Sequence, residues 1–572
     1  MSNVAQQRVK SRFPRNYLAA DATVDTWESI APYFDELEAR DISEKSALEK
    51  WLADYSELSA AIGEESSARY IAMTCHTDDA DAEKLYLDYV TTVVPQMEPH
   101  TFELSKKYLA SPARQLLPPE RYFVYDRSQE NDVALFREEN IALQTRDEVL
   151  SQLYQKQCGD QMVHFDGKEQ TLPQLGRYYE ETDRGVRHDA WVTAVQRQLE
   201  DREAFETVFD EMIQLRTEMA KNAGYSNFLE YQFKRLRRFD YTPQDCEAFH
   251  NAIASEVVPL RRALNEERRK KLGLPKLAPW DLDVDPLGRP PLRPFTGAQE
   301  LVGKTDAVFA AVDPRFAQDF DILKSQELLD LESRKGKAPG GYQSTLDEAR
   351  LPFIFMNASG RNRDVFTLIH EGGHAFHALA YRDEPLHAYR TAPIEFCEVA
   401  SMGMEMMACE HLEPFYSGAD AERARKSHLE SIIMLLPWIA RVDAFQHWLY
   451  KNPAHTRQER AAQWLELESR FGDGLEWPEL AEWRECSWMA KLHFFCVPLY
   501  YIEYGIAQLG ALKLWQNYRA DSSAAVAAYR DALKLGNSRP LPELFSTAGL
   551  QFKFDAPAIR PLVEELSKVV RG

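Results

Sequence analysis

The stretch Asp364-Val-Phe-Thr-Leu-Ile-His-Glu-Gly-Gly-His-Ala-Phe-His-Ala-Leu379 decides how the rest of the chain is read, because it carries His-Glu-x-x-His at His370, Glu371 and His374. At about 100° per residue on a helix, His370 and His374 point the same way, so both imidazoles can reach one tetrahedral Zn²⁺. Glu371 stands beside them, placed to take a proton from a water at the metal, the general-base role in metal-assisted peptide hydrolysis. Val365, Leu368, Ile369, Phe376 and Leu379 fall on the opposite side. The spacing therefore predicts a helix near 364–380 with one face for the core and one for a metal.

A catalytic zinc needs a third protein ligand and an open position for water. The stretch from Pro393 to Ala408 offers Glu395, Glu398 and Glu405 and, rich in Ala and Met with Pro393 near its start, reads as a second helix. Glu398 and Glu405 are seven apart and share a face, with Ser401 beside them. Glu398 is the expected ligand; Ser401 and Glu405 would then orient an imidazole or the ligating carboxylate. His377 is expected to be structural or orienting, since a fourth protein ligand would shut out the water. Cys397 adjoins Glu398 but points about 100° away and is not expected to ligate. Between the two helices, the polar loop from His387 to Pro393 is a candidate for substrate contact.

These motifs, with Gly336-Lys-Ala-Pro-Gly-Gly-Tyr342 and Leu351-Pro-Phe-Ile-Phe-Met-Asn357 before them and Glu398-Val-Ala-Ser401 after, resemble the catalytic core of the oligoendopeptidase F and thimet oligopeptidase family of zinc peptidases. The likeness continues upstream through Phe165-Asp-Gly-Lys-Glu169, Thr171-Leu-Pro-Gln-Leu175 and Gly224-Tyr-Ser-Asn-Phe-Leu-Glu-Tyr231, so it covers most of residues 160–510. It implies zinc on His370, His374 and Glu398, Glu371 as general base, and a deep channel between two helical halves that favours oligopeptides over folded proteins. In His493-Phe-Phe-Cys-Val-Pro-Leu-Tyr-Tyr-Ile-Glu-Tyr504, His493 fills the place of the family's histidine, and Tyr500 and Tyr504, four apart and expected on one helix face, are spaced like its paired tyrosines. Either could stabilise an oxyanion, with Tyr504 favoured. The thimet branch's glycine-rich loop is replaced by Phe-Phe-Cys-Val-Pro-Leu, and its third tyrosine falls at Ala507.

At 572 residues, 44% of them hydrophobic, the chain can bury a large core and more than one domain. Its formal net charge of −22 argues against nucleic acid or anionic membrane as the main partner. The first thirty residues hold Arg8, Lys10, Arg12 and Arg15 without an apolar run, and no later run reaches membrane-spanning length, so a cytoplasmic location is expected. Seven cysteines without a close-spaced framework agree with reduced, buried thiols.

Residues 20–160 read as successive amphipathic helices, for example 24–40 and 46–62, broken at Ser111-Pro-Ala and Leu117-Pro-Pro-Glu120. Residues 162–169 alternate across an Asp-Gly turn, a small hairpin marking the end of an N-terminal helical region over 1–180. Residues 181–572 form the expected catalytic domain. Helical pattern resumes over about 186–272, where the charged run from Arg261 to Lys271 reads as a solvated face. Residues 272–296, with six prolines and two glycines, predict an irregular connection. Asp281, Asp283 and Asp285 within it lack the glycine and distal glutamate of a calcium loop. Leu351–Met356 predicts a strand beside the zinc helix that could offer an open edge to an extended peptide. Residues beyond 510 read as further helices and a loop with no chemistry of their own.

The expectation is a mostly α-helical zinc endopeptidase of short oligopeptides, with a small β-sheet beside the zinc helix. Zinc carboxypeptidases and dipeptidyl carboxypeptidases, which require a free substrate C-terminus, are the rival enzymes. A peptide-binding protein without turnover is the rival outside enzymes, against which an intact Glu371 argues.

Overall fold

The computed structural model describes residues 13–338 and 340–571; Arg8, Lys10, Arg12 and Pro339 lie outside them. Helices dominate, with one two-stranded and one three-stranded sheet among the described residues. Trp51, Tyr108 and Tyr125 lie in an N-terminal core that also takes in Leu386 and Tyr389 from far along the chain. A larger core extends from Ile71 to Leu566 and encloses the helices that carry the site.

The predicted hairpin is β1 (Met162–Phe165) with β2 (Lys168–Thr171), antiparallel and in register from Met162–Thr171 to Phe165–Lys168. Asp166 and Gly167 take φ of 52° and 71°, the left-handed pair that a two-residue turn matching strand twist requires. The proline-rich connection holds a single short 3₁₀ turn, Pro279–Asp281. Its acids meet arginines: Asp281 pairs with Arg184 and Arg187, and Asp285 with Arg289 and Arg423. In the charged run, Arg261 pairs with Asp473 and Arg268 with Glu430.

β3 (Leu329–Glu332), β4 (Tyr342–Leu346) and β5 (Leu351–Ala358) form the second sheet in the order β3-β5-β4. β5 is parallel to β3 and antiparallel to β4. The open edge expected at Leu351–Met356 is therefore absent: that run is the central strand, buried throughout, and the edge beside it belongs to β4. A continuous apolar run is what a strand covered on both faces needs, so its composition fits the centre better than the edge.

Six helices position the sites: α1 (Lys45–Cys75), α2 (Pro243–Ala252), α3 (Asn362–Ala380), α4 (Ile394–Ala408), α5 (Ala419–Lys451) and α6 (Ile502–Ala520). α3 leaves β5 through a tight turn in which Asp364 Oδ2 accepts from the backbone N–H groups of Ser359 (2.7 Å) and Arg361 (3.0 Å), satisfying donors that a helix start leaves orphaned. Val365, Leu368, Ile369, Phe376 and Leu379 are all buried. A Cβ at Gly373 would stand 2.6 Å from the Ala400 carbonyl oxygen and the Ser401 Cα, so a glycine lets the backbones of α3 and α4 touch. Gly510 plays the same part between α6 and Val399 of α4, where a Cβ would lie 3.1 Å from the valine methyl.

Candidate active site

The close approach at Gly373 brings three donors together: His370 and His374 of α3 and Glu398 of α4 offer ligand atoms within 4.8 Å of one another. Glu398 Oε2 is 3.4 Å from His370 Nε2 and 3.7 Å from His374 Nε2. Nitrogen and oxygen ligands held about 2.0–2.2 Å from a tetrahedral Zn²⁺ stand roughly 3.4 Å apart, so the set fits that ion. Glu405 Oε1 lies 2.6 Å from His370 Nδ1. A carboxylate only accepts, so Nδ1 carries a proton and Nε2, facing the cluster, is the nitrogen a metal would take. Ser401 Oγ donates to Glu398 Oε2 at 3.1 Å, and Tyr500 O–H donates to Glu398 Oε1 at 2.7 Å.

Electrostatics separate the groups. Burial raises Glu371 to about 7, with Glu398 and Glu405 adding to the rise and His370 and the Gln343 backbone N–H opposing it. Burial would raise Glu398 as well, but His374, His370 and the Tyr500 hydroxyl hold it down at about 2. Two carboxylates on neighbouring helices thus sit in opposite states: one poised near neutrality, the other a fixed anion. Burial lowers His374 to about 4. Burial also opposes the charged form of His370, yet hydrogen bonds to Glu398 and Glu405 outweigh it and raise that imidazole well above its ordinary range.

His493, Tyr500 and Tyr504 stand together beside these groups. Their ring centroids are 5.8 Å (His493–Tyr500), 5.7 Å (His493–Tyr504) and 5.3 Å (Tyr500–Tyr504) apart, and His493 Nε2 is 3.4 Å from the Tyr504 hydroxyl. Burial, with Lys491 adding to it, lowers His493 to about 3, so its ring is neutral. Burial raises both tyrosines, which keep their protons as hydrogen-bond donors. The two tyrosines do not share a helix: α6 starts at Ile502, and Tyr500 sits in the turn before it. Leu499 there has φ of 65°, a left-handed conformation that costs a non-glycine residue about 1–2 kcal/mol. Its N–H donates to Gln446 Oε1 and its carbonyl accepts from Arg238 Nη2, both at 2.6 Å, which pins the turn and delivers Tyr500 to Glu398.

Of the other sequence candidates, Glu395 faces away from the donor set, accepting from Tyr241 O–H at 2.6 Å with Arg238 3.8 Å off. His377 packs on Tyr381 and Phe396, and burial lowers it to about 3. Cys397 turns its thiol to the Ala392 carbonyl. The His387–Pro393 loop is engaged elsewhere: Tyr389 is buried in the N-terminal core with its hydroxyl on the Arg121 carbonyl, and Arg390 donates to the Asp347 carbonyl.

Sequence reading missed four supports. His428 of α5 stacks on Phe366 at 3.9 Å and brings Nε2 to 3.6 Å from Glu405 Oε2, extending the line from His370 through Glu405. Buried Arg216 donates to the Phe494 and Phe495 carbonyls next to His493. Gln446 and Arg238 hold Leu499 as described. Each comes from a different element than the group it supports, from 23 residues away for His428 and Glu405 to 278 for Arg216 and Phe494, and no local motif announces it.

A mostly helical protein whose His-Glu-x-x-His helix meets a glutamate on the next helix has the donor set of a metallopeptidase. The chain belongs to peptidase family M3: the family model, Peptidase family M3, matches residues 177–564, and the Peptidase M3 N-terminal domain matches residues 20–136. An oligoendopeptidase F homolog from Lactococcus lactis subsp. lactis (strain IL1403) is 23% identical over 381 residues, covering 58% of this chain and 60% of the relative. The chain thus spans about three fifths of that curated relative's length. A solved structure of Pz peptidase A with an inhibitor superposes with a TM-score of 0.91 at 25% identity, over 98% of each chain. The crystal structure of oligoendopeptidase-F from Enterococcus faecium shares the fold, with a TM-score of 0.64 at 15% identity over 95% of this chain and 96% of that one. Among the described residues no helix is long and apolar enough to cross a membrane.

Proposed function

We propose that this protein is a zinc-dependent endopeptidase that hydrolyses internal bonds of short oligopeptides. One observation carries the reading: His370, His374 and Glu398 converge at tetrahedral spacing on a side that keeps solvent access, with Glu371 adjoining. Zinc, when bound, supplies a Lewis acid that makes a water nucleophilic near neutral pH and polarises a carbonyl.

The chain's own groups do the rest. Glu371, poised near neutrality, takes the proton of the attacking water and returns it to the leaving nitrogen. Tyr504 donates to the carbonyl oxygen as it gains charge, held in place by His493 at 3.4 Å. Tyr500 is tied to Glu398 and positions that ligand. Glu405 fixes the His370 ring and Ser401 the Glu398 carboxylate. β4 lies at the edge of its sheet, and its Gln343 N–H acts on Glu371, so an extended peptide that adds to this edge comes beside the base. Backbone pairing of that kind is largely indifferent to side chains and suits broad sequence tolerance.

The names of the relatives support an oligopeptidase reading, and we place the enzyme in the cytoplasm, where the seven unpaired cysteines suit a reducing milieu. Metal analysis of purified protein together with peptide binding by Glu371→Gln tests the assignment. The variant is expected to retain zinc and peptide and to lose turnover; cleavage at the parental rate would remove Glu371 from the mechanism.

A further inference from the structure

A second set of metal-ligating side chains, distinct from His370, His374 and Glu398, is buried between α2 and α5. α2 is fixed at its start by Thr242, whose hydroxyl and backbone exchange hydrogen bonds with Asp245. One turn of that helix presents Cys246 and His250 on one face; one turn of α5 presents Asp443 and His447. Ligand atoms of Cys246, Asp443 and His447 lie within 4.8 Å of one another. His447 Nε2 is 3.4 Å from Asp443 Oδ2, the separation of about 3.4 Å that nitrogen and oxygen donors keep around tetrahedral zinc. His250 Nε2 bonds the same oxygen at 2.7 Å.

Two observations call for an ion here. The four residues are sealed, with Cys246 at 0%, Asp443 at 0%, His250 at 3% and His447 at 4% exposure. Yet Asp443 Oδ1 and both ring nitrogens of His447 are buried without a hydrogen-bond partner, an arrangement that native interiors avoid. The second observation is charge. The guanidinium of Arg238 favours the Asp443 anion only from a distance, being itself engaged by Glu503 at 2.6 Å and Glu395 at 3.8 Å, so the carboxylate's direct neighbours are the imidazoles of His250 and His447.

We propose that Cys246, Asp443 and His447 form a second, structural zinc site, with His250 orienting Asp443 and the ion clamping α2 to α5. A thiolate, an imidazole and one carboxylate suit a borderline-soft divalent ion and disfavour magnesium or calcium, which take sets built from oxygen. Loading releases the Cys246 thiol proton to solvent as the thiolate binds the metal. The site stands apart from His370, His374 and Glu398 and does not depend on what they do.

The test uses the full chain carrying His370→Ala and His374→Ala, which lack the first donor set, loaded with zinc or with cobalt(II) and freed of excess metal. This double variant is expected to keep a bound ion and, with cobalt, to show thiolate-to-metal charge-transfer absorption. Adding Cys246→Ser removes both; His447→Gln serves as a second probe should the serine variant fold poorly. A double variant that retains no ion, or cobalt bound without a thiolate band, overturns the proposal.

Discussion

Around His370, His374 and Glu398 the side chains keep 20%, 16% and 4% of their surface exposed, whereas around His250, Asp443 and His447 they keep 4%, 0% and 5%. Both clusters place imidazoles and a carboxylate on facing helices at similar separations. What differs is the surroundings: the first looks onto solvent with Glu371, Tyr504 and His493 beside it, and the second is closed on every side by core. An open position with a base and donors makes a reaction site, while a sealed set serves to hold helices together. Their imidazoles and carboxylates alone do not tell the two apart.

The contrast breaks most directly at the base. Glu371→Gln is expected to lower kcat by on the order of 10³–10⁴-fold, read with a quenched peptide, while zinc content stays unchanged. Tyr504→Phe should cost about 10²-fold in kcat with KM little altered, as for loss of one donor to a developing oxyanion. Tyr500→Phe, by contrast, should act through Glu398 and appear as weaker zinc retention; a pure kcat effect would exchange the roles of the two tyrosines. Glu405→Gln, which loosens the His370 ring, is expected to weaken zinc affinity by about 10–100-fold in a chelator competition.

A gentler effect lies in the pH profile. As the proposed base, Glu371 would work deprotonated; burial with its acidic neighbours lifts it to about 7, so kcat/KM should rise with pH along an acid limb and fall as pH drops through it. A cation at the neighbouring ligands favours the carboxylate form, which places the limb of the zinc-loaded enzyme below about 7. A limb above 7 would speak against Glu371 as the titrating base. Least affected should be catalysis in Cys246→Ser: within a few-fold of the parent, with a lower unfolding temperature, because the sealed cluster touches no substrate. Unchanged thermal stability would deny the second cluster a structural part.

The helix pair was legible in sequence because its information is local. His370, Glu371 and His374 fall within a single turn, and Glu398, Ser401 and Glu405 recur on one face of the next helix, so periodicity alone aligned them. Gly372 and Gly373 could be read as part of a motif, yet their reason, the contact of α3 with Phe309 and with the α4 backbone, is tertiary. The same holds for β5: its composition announces a strand, but whether a strand is central or at an edge depends on partners, and β3 and β4 reach it from both sides. The turn before α6 shows the limit most clearly. Nothing near Leu499 in the chain forecasts a left-handed leucine, because the groups that hold it, Gln446 and Arg238, come from α5 and from a loop some 260 residues away. His428 and Arg216 escaped for the same reason.

The central claim is best tested with an internally quenched oligopeptide blocked at both ends, digested by the purified full chain with chelator, without it, and after zinc is restored. Cleavage at an internal bond, stopped by chelator and recovered with zinc, is the expected result. Cleavage indifferent to chelator, or confined to peptides with a free C-terminus, would contradict a zinc endopeptidase built on His370, His374, Glu398 and Glu371.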